Sequence, residues 1–215
     1  MSRGVLTAMD SSFTHFHHIQ YHMKKWPSAL FVIGALLLFS LFVLPMWQIT
    51  LTAPQYKEGV TMLIWIDKIG GKTPGTLQNV NILNHYIGMK KIEPESIPEL
   101  RYLKYIVAAL ATSGVIIGFL QKKKLYLAWV ILFVLLAALG IYDFYLWEYD
   151  YGHNLDPTAP IKIPGASFQP PLFGTKHIIN FVATSLPATG GWLAVISLVL
   201  TTVAWKFQSP ITSTK

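Results

Sequence analysis

The chain has 215 residues, 53% hydrophobic and only 13% charged, with 17 basic residues against 10 acidic ones. So few charges cannot cover an ordinary water-facing surface, which excludes a soluble globular domain. There is no cysteine, which excludes disulfides, iron–sulfur clusters, c-type haem attachment and thiolate metal sites.

Four apolar runs, at 29–47, 103–120, 125–145 and 191–207, each approach the ~20 residues a helix needs to cross ~30 Å of hydrocarbon. Backbone in lipid has to satisfy its own hydrogen bonds, so runs of this length predict helices. The expected fold is an all-α membrane protein with four transmembrane helices, two ordered outer loops forming a small β/α cap, and both termini inside. The expected division is an N-terminal cytoplasmic tail over 1–28, a membrane domain over 29–207 with outer loops 48–101 and 152–189, and a short cytoplasmic tail over 208–215. Basic residues flanking the spans set this orientation: Lys24, Lys25, Lys122, Lys123, Lys124 and Lys206 fall inside, whereas Arg101 and Lys104 count against it. A cellular membrane is the expected location. The net charge of +7 is thus read as topology and lipid contact, with no nucleic acid involved.

In the N-terminal tail, His15, His18 and His22 share one face if the segment is helical, a spacing that suits a divalent ion or merely the polar side of a surface helix. The first outer loop carries a strand pattern at 59–67, turns at Gly70, Gly71, Pro74 and Gly75, and a short helix at 76–89. On that helix Asn81, His85 and Met89 stand at four-residue steps. Imidazole with thioether suits copper, above all the cuprous ion. A purely structural role in loop packing is the alternative.

A short turn at 121–124 forces the second and third spans into a hairpin. Continued past the lipid boundary, the third span aligns Asp143, Trp147, Asp150 and His153 or Asn154, with Glu148 on a neighbouring face. An acid near hydrocarbon suggests a function or a partner. Asp150 and His153 could ligate one ion, or the acids could pair with Lys104, Lys162 or Lys176. The second outer loop is proline-rich, with a short helix expected at 174–183 and a third outer histidine, His177. No Walker loop, nucleophile elbow, zinc-protease helix or kinase signature is present. No enzymatic activity is expected, nor a haem held within the spans.

The segments LTAPQY (51–56), LNHYIGM (83–89), DFYLWEYDYGHN (143–154) and PPLFG (170–174) resemble a family of four-span membrane proteins encoded with nitrous oxide reductase and its copper-maturation factors in bacteria of the Bacteroidetes type. The likeness covers about residues 29–207. It implies an accessory role in denitrification at the bacterial inner membrane, with loops 48–101 and 152–189 periplasmic, serving a periplasmic copper enzyme beside a copper chaperone, a transporter permease and cytochromes. Within the matching motifs, His85, Met89, Asp150 and His153 become the candidate copper ligands. Asn81, Asp143, Glu148 and His177 are expected to support them or to handle protons. Two rival functions stay open: an electron-transfer subunit that interacts with quinol, and a metal-free scaffold for a transporter permease.

Overall fold

The computed structural model describes residues 25–209 except Gln55, Ala166 and Ile179; the N-terminal histidine cluster lies outside the described residues. Helix α1 (Trp26–Leu37) starts at a proline in its first turn and tightens into a 3-10 turn over Leu38–Phe42. Helices α3 (Glu99–Leu120), α4 (Lys123–His153) and α5 (Thr189–Phe207) complete the apolar bundle. Among the described residues these last three are the helices long and apolar enough to cross a membrane. The expected count of four spans is therefore corrected to three. Pro45 supplies the physical reason, because it cannot extend a helix. Beyond it the Met46 amide donates to the Ile64 carbonyl and the chain turns into a strand at Trp47.

The bundle is held by small residues and by hydroxyls that satisfy backbone carbonyls. Gly34 on α1 meets α5 so closely that an added Cβ would lie 2.8 Å from Thr201 Cγ2 and 3.1 Å from the Ser197 carbonyl oxygen. Ser197 Oγ donates to the Gly34 carbonyl at 2.7 Å. Such small-residue contacts let helices approach where lipid removes the hydrophobic drive between them. Phe31 stacks on Tyr126 and meets Trp129 edge-on. The Tyr126 hydroxyl and Ser28 both donate to the Gly118 carbonyl, and Gln208 donates to that of Gln121. These contacts gather the start of α1, the α3–α4 turn and the end of α5, with Lys122, Lys123, Lys124 and Lys206, at one end of the bundle.

The other end carries a five-stranded antiparallel sheet, ordered β3-β2-β1-β5-β4. Its strands are β1 (Trp47–Ala53), β2 (Tyr56–Ile64), β3 (Ile69–Gly71), β4 (Gly174–Ile178) and β5 (Phe181–Pro187). This sheet overturns the all-α class. It also replaces the helix expected at 174–183, where alternating side chains form the β4–β5 hairpin. Pairing of β1 with β5, Ile49 opposite Ser185 and Thr50 opposite Thr184, joins the two outer loops into one cap.

Alternation along the strands sends Ile49, Val60, Met62 and Ile64 to the inner face. There they form a core with Val80 of helix α2 (Thr76–Ile87), Ile92, Leu100 and the Phe144, Trp147 and Tyr151 rings of α4. On the outer face, Thr61, Thr50, Thr184 and Thr175 form a row across four strands. Its hydroxyl pairs are 3.0 Å apart for Thr50–Thr61 and 3.1 Å for Thr175–Thr184. Such cross-strand pairs stabilise a sheet by a few tenths to about 1 kcal/mol each. Helix α4 reaches this core because its 31 residues extend ~46 Å at ~1.5 Å per residue, well beyond ~30 Å of hydrocarbon.

Candidate functional site

Helix α2 ends where Gly88 adopts φ +80° and the Met89 amide donates back to the Asn84 carbonyl. A left-handed glycine closing a helix releases the next residue from the helical face. Met89 therefore leaves the Asn81–His85 stripe and packs against the cluster of Phe168, Ile178 and Ala183. Asn81 is engaged by backbone: its carboxamide accepts from the Ile92 amide at 2.7 Å and donates to the Ile92 carbonyl at 3.1 Å. Buried Asn84 does the same work for Lys90, donating to its carbonyl. The two amides thus pin the returning chain against α2. His85 is exposed.

On α4 the helix does continue through His153. Asp150 accepts from Lys90 at 2.6 Å and also from the Asn154 amide, which ties α4 to the end of α2. The partner is Lys90 and not the Lys104, Lys162 or Lys176 that the sequence offered; Lys176 donates to the Gln169 carbonyl. His153 is exposed, stacks on Tyr149 and places Nδ1 3.0 Å from the Tyr149 carbonyl oxygen. Asp143 is exposed and sits in the electrostatic neighbourhood of Glu99.

Backbone bonds from Asp156 to Gly88 and from Ile161 to Tyr86 dock the loop after α4 onto the end of α2. The Thr158 hydroxyl and amide both donate to the Asp156 carboxylate, and together they hold it below the usual carboxylate range; His85 and Lys162 add a smaller electrostatic pull. Exposed His177 shares the outer sheet face with Thr175 by strand alternation, opposite the face covered by α2 and α4. The structure thus brings His85, Lys90, Asp150, His153 and Asp156 to adjoining helix ends, and leaves His177 on the far face. Among the described residues, no three His, Asp or Glu side chains gather to hold a metal ion.

Glu148 is the most unusual of the candidates. It is 1% exposed, and neither carboxyl oxygen meets a hydrogen-bond donor. The neighbouring Trp147 packs its ring on Tyr151, and its indole N–H approaches the Tyr151 hydroxyl. Both residues line a cavity of about 70 Å³, open on one side, between the inner sheet face, α2 and the end of α4. Its walls are otherwise almost wholly apolar, among them Ile49, Met62, Val80, Met89, Phe168 and Ile178. Helical spacing set Glu148 apart from the acid stripe, but only the folding of the sheet over α4 buries it. No protein-family model, curated protein or solved structure matches the chain.

Proposed function

We propose that this chain is a membrane-anchored accessory protein, without chemistry of its own, whose cap serves a periplasmic copper enzyme of the nitrous oxide reductase type. The weaving of both outer loops into one sheet is the observation that carries the reading. It sets a rigid polar platform at the end of the bundle away from the lysines, the arrangement expected of a domain facing outward from a bacterial inner membrane.

On that platform the exposed imidazoles of His85 and His153 stand at adjoining helix ends. Their exposure suits transient, exchangeable copper binding. Asp150 is held by Lys90 and Asn154, and Met89 is turned into the cap, so the two histidines would do most of the work. The test is metal analysis of anaerobically purified protein. About one copper per chain, lost in the His85→Ala, His153→Ala double variant, supports the proposal. Absence of copper, or copper unaffected by the double variant, removes it.

A metal-free scaffold for a transporter permease is the second reading, favoured by the exposed apolar side chains along α4, such as Leu132, Leu135 and Leu139. Copurification of a permease with no copper, abolished by Leu135→Arg, would favour it. Loss of quinol oxidation with copper content unchanged would instead favour the electron-transfer role.

A further inference from the structure

The cap cavity is not used by either reading, and its walls present almost nothing polar to the space between them. The Trp147 indole turns to the Tyr151 hydroxyl, the Asn84 amide donates to the Lys90 carbonyl, and the Glu148 carboxyl oxygens are buried away from the accessible space. A cavity holds water only where it offers several polar partners, and apolar cavities stay dry. Yet a dry void costs stability in proportion to its volume, and close-packed interiors keep few that are larger than a water molecule. Met62 and Met89 in its walls are of the flexible kind that fills irregular gaps, and this gap stays open beside them.

We propose that the cavity is a binding site for a small, uncharged, apolar molecule of gas-like size, which enters by the open side. The volume of about 70 Å³ is a little over twice the ~30 Å³ share of a water molecule and about half the ~150 Å³ of an engineered cavity that takes benzene. It therefore admits about two or three heavy atoms and excludes an aromatic ring. A charged or hydrogen-bonding guest finds no partner on these walls. A compact apolar guest gains dispersion contacts with the polarizable thioethers of Met62 and Met89 and with the Phe168 ring.

The full chain, isotope-labelled at its methionine methyls and purified in detergent, is taken through rising xenon pressure and followed by carbon NMR. Saturable shifts are expected at Met62 and Met89, while Met46, which does not line the cavity, moves only in proportion to pressure. Benzene in place of xenon should give no saturable shift. Val80→Phe fills the cavity from α2 and Ile49→Phe fills it from β1, and saturation should be lost in each. Four results would overturn the proposal: no saturable shift at Met62 and Met89 in the parent chain; an equal saturable shift at Met46; saturable benzene binding; or xenon saturation that persists in a folded filling variant. The parent readout and the two opposite walls keep the test decisive if one variant fails to fold. None of these outcomes depends on copper, so the site and the accessory role fail separately.

Discussion

Replacing Glu148 by leucine should make the protein more stable, an unusual expectation for a nearly fully buried position. The side chain is 1% exposed and both oxygens lack a partner. An unsatisfied buried polar group costs about 1–3 kcal/mol, and more if charged. Exchanging buried ionisable groups for apolar ones of similar volume is commonly neutral or stabilising by about 1–4 kcal/mol. Leucine is close in length, and its methyls would meet Met62, Ile92 and Tyr151 along the cavity wall. A gain of about 1–3 kcal/mol follows, roughly a 5- to 160-fold increase in the folded-to-unfolded ratio.

Urea denaturation in mild detergent, followed by tryptophan fluorescence, would report the gain as a higher midpoint with an unchanged slope. Glu148→Gln keeps the shape but leaves the amide unsatisfied, so it should gain less than half as much. Loss of more than about 1 kcal/mol in Glu148→Leu at constant slope would refute the reasoning, because the carboxyl would then be making a stabilising bond. If the gain is observed, Glu148 is a residue kept at a cost to stability, the usual mark of a binding role.

Four further outcomes are expected. Gly34→Val drives a side chain into Thr201 and the Ser197 carbonyl, and should cost about 1–3 kcal/mol by overpacking, measured as a lower thermal midpoint of the bundle. Gly88→Ala places a Cβ 2.9 Å from the Asp156 carbonyl oxygen at φ +80°, so amide exchange should rise in residues 85–91 and 152–161 together. Lys90→Ala removes the ion pair with Asp150, but both side chains are about half exposed; the cost should stay within about 1 kcal/mol and shrink in high salt. The Asp156 carboxyl is held below its ordinary value of 3.8 by Thr158. Its contribution to stability is therefore complete above that value and lost as pH falls through the lower folded value. In Thr158→Ala the carboxyl should titrate at higher pH by carbon NMR, and the variant should be slightly less stable near neutrality, a difference that fades once the pH falls below the lower folded value.

The candidate site was legible in part. Acids at 143, 148 and 150 on one continuous helix followed from an apolar run passing without a breaker into an aromatic one, and α4 does continue to His153. The Asn81–His85–Met89 stripe failed at its last member because Gly88, a helix-ending signal visible in the sequence, was read through. Whether an acid is orphaned or paired was not legible. Asp150 and Glu148 are two residues apart on the same helix, yet one meets Lys90 and the other an apolar wall.

By itself the sequence determined the three long apolar helices and the lysine clusters beside them, because a chain in lipid must close its hydrogen bonds within one continuous segment. It also determined β2 and α2, whose patterns are local. The tertiary structure decided the rest. Pro45 and Trp47 turn the end of the first apolar run into strand β1, which is stable only because β5, far along the chain, supplies its second neighbour. Residues 174–187 become a hairpin for the same reason: a strand's hydrogen bonds belong to its partner, so its existence depends on residues that no local pattern contains.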